Sequence, residues 1–190
     1  MPAILDIPEV RARVSPLSVE EYHRLGEFNK NGRRTELIRG IVIEKVRKTP
    51  LHCYIGKRLY DLALELSPKG FVVFGQDPLT FSDSEPEPDV AIVRGREDEF
   101  SQEHPSTAEL VIEVADSSVA LDLENASLYA EANVTEYWIV LAEARQVEVY
   151  RNPVNGRYQT KLLLGAGDQI ECVGVEGMRI AISDIFSATE

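Results

Sequence analysis

The sequence predicts a mixed α/β fold, with a central sheet flanked by helices and a β-rich C-terminal part. Helical and strand-like segments alternate as far as Leu141, and mainly short β-like runs follow. Two of the strand-like runs, 89–93 and 109–115, are almost continuously apolar. Such runs are typical of strands that are covered on both faces, and this favours a sheet with helices packed on it.

Length and composition are those of one globular domain. The chain has 190 residues, of which 44% are hydrophobic and 27% charged, which suits a single packed core. We therefore predict one domain over residues 1–190, with 1–17 as a loose N-terminal segment. No apolar run is long enough for a membrane span, and the N-terminus lacks the features of a signal peptide. Cys53 and Cys172 lie among apolar residues, which predicts a cytoplasmic protein with reduced, packed thiols.

The N-terminal third predicts two helices and a hairpin. Ser18 and Glu21 have the spacing of a capping box, which predicts a short helix from there to about Leu25. Residues 35–46 form two strand-like runs that meet at Arg39-Gly40, as in a β-hairpin. Apolar residues recur at helical spacing over 50–66, so a longer helix with one buried stripe is expected there.

The rest of the chain predicts the main sheet. Strand-like runs occur at 71–74, 78–81, 89–93, 109–115 and 136–140, and a helical segment at 122–132. Asp116, Ser117 and Ser118 are expected to form a turn and a helix cap. Short β-like runs then continue to about residue 182, with turns at 155–156 and 165–167.

Two carboxylates mark the core strands. Asp89 opens one strand and Glu113 lies near the end of another. An ionised carboxylate is costly to bury unless it is paired or bound to a metal. If the two converge they could bind Mg²⁺ or Mn²⁺, and a bound metal would activate water for phosphodiester hydrolysis. Spacing does not establish convergence, and acids that face solvent or pair with arginine are the alternative that the residues alone favour.

Four segments together resemble the Putative restriction endonuclease family of the PD-(D/E)xK superfamily. In order they are TELIRGI (35–41), EPDVAIVR (87–94), ELVIEVADSS (109–118) and LYAEANVTEYWIVL (128–141). The similarity extends from about residue 18 to the end of the sequence. It implies a restriction-endonuclease-like core, a Mg²⁺ or Mn²⁺ cofactor, and hydrolysis of phosphodiester bonds in DNA.

The same resemblance implies a set of site residues. Asp89 matches the aspartate of the PD motif and Glu113 the acid of the (D/E)xK motif, so both would be catalytic metal ligands. Glu36 matches an acid on the first strand that would face the same site. His52 matches a histidine at the start of the next helix, although a helix-start histidine near solvent is an equal alternative. Gln76 is a candidate supporting polar group.

The lysine of the motif is missing. Ala115 stands where the (D/E)xK lysine would be, and the family's other lysine position, four residues before Tyr129, is Asn125. A lysine would stabilise developing negative charge, whereas asparagine is neutral. Three explanations stay open: the activity is lost, it is weak and relies on metal alone, or another lysine has taken over. The candidates for that replacement are Lys45, Lys48 and Lys57.

Charge is unevenly distributed along the chain. The net charge is −12, but residues 1–60 contain 12 Lys and Arg against 7 Asp and Glu. Such a basic region could grip a DNA backbone. A solvated surface, or one that faces an acidic partner surface as in a homodimer, is the alternative that charge alone favours. The sequence thus predicts a metal-dependent endonuclease that is weak because of Asn125. The alternative is an inactive nuclease-fold module for oligomerisation or for nucleic-acid or protein binding.

Overall fold

A computed structural model describes residues 7–26, 33–115 and 119–187. The predicted turn and cap at 116–118 lie outside these ranges, as do residues 1–6 of the predicted N-terminal segment. The chain divides into two compact units. We call Met1–Val46 with Phe81–Pro86 the N-terminal unit, and Arg47–Thr80 with Glu87–Glu190 the sheet unit.

The N-terminal unit contains two short helices and a hairpin. Its elements are α1 (Pro8–Arg11), α2 (Val19–Gly26), β1 (Thr35–Ile38) and β2 (Ile41–Glu44). The capping box is confirmed, because the Glu21 amide donates to Ser18 Oγ at 3.2 Å and the Ser18 amide to Glu21 Oε2 at 2.8 Å. The hairpin is also confirmed. Its turn residues Arg39 and Gly40 both have positive φ, 54° and 72°, as in turns that match the twist of paired strands.

The sheet unit contains a main sheet of six strands, a separate pair of short strands, and the helices that flank the main sheet. Its helices are α3 (Pro50–Leu66), α4 (Val119–Glu131) and α5 (Ile182–Phe186), and a 3-10 turn covers Glu97–Phe100. Its strands are β3 (Phe71–Phe74), β4 (Val90–Arg94), β5 (Leu110–Ala115), β6 (Glu136–Leu141), β7 (Gln146–Val154), β8 (Arg157–Leu164), β9 (Gln169–Glu171) and β10 (Arg179–Ala181).

The main sheet has the order β3-β4-β5-β6-β7-β8. The pair β5–β6 is parallel, and the other neighbours are antiparallel. β9 and β10 form a separate antiparallel pair. The predicted mixed α/β fold with a β-rich C-terminal part is therefore confirmed.

The structure differs from the prediction in two places. Residues 78–81 are not a strand, because Pro78 has no amide to donate and the Thr80 amide bonds to the carbonyl of Pro105 rather than to a neighbouring strand. The β-like runs that we predicted to about residue 182 are followed by the short helix α5, which was not predicted. The isoleucines of α5 are buried. Apolar residues can be buried by a helix as well as by a strand, so their presence did not distinguish the two.

Helices cover both faces of the main sheet. Ile55 and Leu59 of α3 share a core cluster with Ile112 and Trp138. Tyr137 points the opposite way, since side chains alternate along a strand, and its ring centroid lies 4.9 Å from that of Tyr129 on α4. The segment after β8 completes the α3 face. Its buried members are Ile170, Cys172, Val175, Met178, Ile180, Ile182 and Ile185.

A buried charge fixes the C-terminal segment to the sheet. Glu136 is 0% exposed, and its carboxylate accepts from Trp138 Nε1 at 2.7 Å, Arg151 Nε at 2.9 Å and the Val173 amide at 2.7 Å. Next to this contact Gly174 allows a close approach, because a Cβ there would collide with the carbonyl oxygen of Glu109.

The two cysteines differ in their surroundings. Both are free thiols. Cys172 is buried, and burial raises the pKa of its thiol to about 12. Cys53 is exposed on α3, so the prediction that it is packed is wrong. Among the residues that the structure describes, no helix is both long and apolar enough to cross a membrane.

Candidate active site

Asp89 and Glu113 both lie beside the last residue pair of two neighbouring strands. β4 and β5 are antiparallel, with Val90 at the start of β4 opposite Ile112; Asp89 comes directly before Val90, and Glu113 directly follows Ile112 in β5. A direct contact joins the two segments, since the amide of Val114 donates to Asp89 Oδ2 at 2.9 Å.

The Asp89 carboxylate is buried and receives two side-chain donors. Its side chain is 4% exposed, Lys48 Nζ lies 2.5 Å from Oδ1, and His52 Nε2 lies 3.0 Å from Oδ1. Burial by itself raises the pKa of Asp89, but the hydrogen bonds from His52 and Lys48 outweigh it and lower the pKa to about 2. The carboxylate is therefore ionised at neutral pH without help from a metal ion.

The start of α3 places both donors. Thr49 is the N-cap, and its Oγ1 accepts from the His52 amide at 3.1 Å. Pro50 follows at the first helical position, where its missing amide costs nothing. Lys48 thus comes directly before the cap and His52 lies in the first turn. The positive end of the helix dipole also favours an anion at this position.

Glu113 is held by a residue of α4, the helix that packs on the other face of the sheet from α3. The hydroxyl of Tyr129 on α4 donates to Glu113 Oε1 at 2.9 Å. Asn125 lies one helical turn before Tyr129 and hence on the same side of α4. It is 7% exposed, and within the described part of the chain its Oδ1 has no hydrogen-bond partner. A buried acceptor left without a partner costs about 1–3 kcal/mol, so Asn125 is an energetically poor residue for this position.

The other predicted residues have different environments. Glu36 belongs to the N-terminal unit, where Lys45 Nζ lies 3.3 Å from its Oε2. Gln76 is exposed, has a φ of 62°, and donates its backbone amide to the carbonyl of Pro88 at 3.1 Å. This bond braces the residue before Asp89 through the main chain. The roles of Glu36 and Gln76 stay predictions.

Sequence reasoning used Tyr129 only as a point from which to count, and missed its contact with Glu113. The spacing contained a usable signal, because a tyrosine four residues after a proposed site residue shares its side of the helix. The amide of Val114 could not be found from residue types, since every residue has a backbone amide. Lys48 was one of three lysines among which the sequence could not choose.

The carboxylate pair fits a hard divalent cation in its chemistry. Mg²⁺ is commonly bound through one or two carboxylates, with waters and substrate phosphates as further ligands. The described ranges contain no cluster of three or more His, Cys, Asp or Glu side chains arranged for a metal ion, so a site here would use the pair Asp89 and Glu113. The oxygens of Asp89 already receive three donors, so a cation would compete with them.

The fold is shared with a solved structure. The chain is similar to the crystal structure of a putative nuclease belonging to DUF820 from Anabaena variabilis ATCC 29413. The two share 17% sequence identity, the match covers 90% of this chain and 98% of the other, and the TM-score is 0.76.

The chain belongs to the Uma2 family, described as "Putative restriction endonuclease", whose family model matches residues 19–183. The family resemblance seen in the sequence is thus confirmed. A comparison with curated proteins gave no match.

Proposed function

We propose that the protein is a Mg²⁺- or Mn²⁺-dependent endonuclease that hydrolyses phosphodiester bonds in DNA, and that its activity is weak because Asn125 replaces a lysine. The observation that supports this proposal is that Asp89 and Glu113 both lie beside the last residue pair of the neighbouring strands β4 and β5, in a chain of the Putative restriction endonuclease family. Asp89 and Glu113 would hold the metal, which when bound supplies an activated water and neutralises charge on the phosphodiester.

The neighbouring residues have supporting roles in this proposal. Tyr129 fixes the direction of the Glu113 carboxylate through its hydroxyl. His52 and the Val114 amide fix that of Asp89. Catalytic groups need such restraint, because small errors in orientation reduce the rate sharply. A DNA partner, a homodimer and a cytoplasmic location are further parts of the proposal.

A second candidate function is an inactive nuclease-fold module that serves binding or oligomerisation. One observation favours it: the charge of Asp89 is balanced by Lys48, His52 and an amide without any metal. Asp89 therefore has a structural use that does not depend on catalysis, so its presence is compatible with lost activity.

Nicking of supercoiled plasmid with Mn²⁺ or Mg²⁺ tests the first candidate. Wild type should nick, and Glu113→Gln, which keeps an acceptor for Tyr129, should not. Glu148→Gln is the matched control, because Glu148 also accepts a tyrosine hydroxyl, that of Tyr150 at 2.7 Å, but lies on β7. Nicking that survives Glu113→Gln or EDTA would contradict the assignment.

Thermal melting with and without Mn²⁺ separates the two candidates. A metal-dependent site binds Mn²⁺ in the folded state alone, so Mn²⁺ should raise the Tm of wild type and of Glu148→Gln. It should not raise that of Glu113→Gln. An absence of both nicking and a Tm shift in wild type would favour the inactive module.

A further inference from the structure

Asp89 has little room for an additional cation. A carboxylate offers about four lone-pair positions. On Asp89 these face Lys48 Nζ at 2.5 Å, the Val114 amide at 2.9 Å, and His52 Nε2, which lies 3.0 Å from both oxygens. These three donors leave at most about one lone-pair position, so a divalent cation that binds Asp89 competes with the donors beside it.

Lys48 is the donor most able to leave. The Val114 amide is fixed in β5, whose ladder continues to Ala115. His52 is held in the first turn of α3 by the cap at Thr49. Lys48 comes before the helix on a flexible four-carbon stem, and its side chain is 18% exposed, so it has a path to solvent. It also carries a full positive charge, which a divalent cation on the same carboxylate would repel.

Lys48 is also a candidate replacement for the lysine that the motif lacks. The family's lysine positions are Ala115 and Asn125 in this chain, and neither has a charge. Of the lysines that could compensate, Lys45 contacts Glu36 in the N-terminal unit and Lys57 is exposed on α3. Lys48 contacts Asp89 itself.

We infer that Lys48 is a tethered, exchangeable cation of this site. It neutralises Asp89 while no divalent cation is bound, leaves Oδ1 when one binds, and then offers its ammonium group to a phosphate of the substrate. The exchange rests on the metal site of the proposed function, and only the last step rests on its nuclease activity. A freed ammonium group suits a phosphate, since lysine binds phosphate as a point charge.

Calorimetric titration with Mn²⁺ tests the exchange without DNA. Lys48→Gln keeps a hydrogen-bond donor but removes the competing charge, so its affinity for Mn²⁺ should rise by about tenfold to a hundredfold, as expected for loss of a charge-assisted competitor. Lys161→Gln is the matched control, because Lys161 Nζ pairs with Glu148 at 2.9 Å on the same sheet. It should leave the affinity unchanged. An unchanged or lower affinity in Lys48→Gln would overturn the exchange.

Lysine acetylation of wild type gives a second measurement that needs no variant. Mass spectrometry should show faster acetylation of Lys48 with Mn²⁺ than with EDTA at matched ionic strength, because the ammonium group is released from Asp89. The rate at Lys161 should stay the same. Equal rates at Lys48 in both conditions would also refute the exchange.

Nicking assays separate this inference from the proposed function. Tighter Mn²⁺ binding with reduced nicking in Lys48→Gln would support both the exchange and the phosphate contact. Tighter binding with undiminished nicking would overturn the phosphate contact alone. If the exchange occurs in a wild-type protein that does not nick, the nuclease proposal fails and the exchange stands.

Discussion

Acid should destabilise the metal-free protein through Asp89 in a defined pH range. The pKa of Asp89 is lowered from 3.8 to about 2 in the folded protein, where burial is outweighed by hydrogen bonds from His52 and Lys48. A lowered pKa stabilises the fold when the group is ionised, so the full contribution is present above the unfolded-state pKa and is lost as the pH falls through the folded-state pKa. At about 1.4 kcal/mol per pKa unit, the loss is about 2 kcal/mol between pH 5 and pH 2.

Urea unfolding followed by circular dichroism, with EDTA present, measures this loss. The free energy of unfolding of wild type should exceed that of Asp89→Asn by a margin that shrinks by about 2 kcal/mol between pH 5 and pH 2. Asp98→Asn is the control, because Asp98 pairs with Arg96 at the exposed surface. Salt should abolish the difference in free energy of unfolding between wild type and Asp98→Asn, while the difference between wild type and Asp89→Asn persists. A margin for Asp89→Asn that does not change with pH would refute the reasoning.

Three further predictions concern the site and the core. Asn125→Lys should raise nicking by about tenfold or more if Asn125 occupies the lysine position that the resemblance implies, because a positive charge would then stabilise the transition state, whereas Asn125→Met should not. Glu136→Gln should lower the free energy of unfolding by about 3 kcal/mol, since it breaks a buried ion pair, whereas Glu171→Gln at an exposed pair should cost less than about 1 kcal/mol. Gly174→Ala should lower the free energy of unfolding by about 2 kcal/mol, because its Cβ would collide with the carbonyl oxygen of Glu109. Gly56→Ala should instead raise it by up to about 1 kcal/mol, because a Cβ at Gly56 in α3 meets open space.

Each of these predictions has an opposing result. No gain of nicking in Asn125→Lys, with Mn²⁺ binding intact, would mean that Asn125 does not occupy the lysine position. Equal losses of stability in Glu136→Gln and Glu171→Gln would show that burial of the Glu136 pair is unimportant. A stable Gly174→Ala variant would mean that the main chain yields at this contact. Urea unfolding at neutral pH measures the last two.

Much of the sheet unit could be predicted because its signals are local. Helix α3 combines an apolar stripe at helical spacing with a proline at its first position, and both features are visible in the sequence. The run at 78–81 misled because it has the apolar character of a strand, but only the fold decides whether its amides find a neighbouring strand. The burial of Cys172 and the exposure of Cys53 likewise depend on which side of an element faces the core.

The candidate site could be predicted as a list of residues but not as an arrangement. Resemblance to a family supplied Asp89 and Glu113, and the almost continuously apolar runs gave their places near strand ends. That both lie beside the same residue pair depends on register, which no single strand encodes. The choice of Lys48 depends on how α3 begins beside β4, a contact between segments about 40 residues apart in sequence.

The C-terminal segment has a consequence for synthesis of the protein. Helix α3 ends at Leu66, yet part of the core that covers its stripe comes from residues as late as Ile185. At about 5–20 residues per second, translation of the intervening segment takes roughly 6–24 s. During that time the apolar side of α3 has no complete cover, so the nascent chain should bind hydrophobic-surface chaperones until its last residues leave the ribosome.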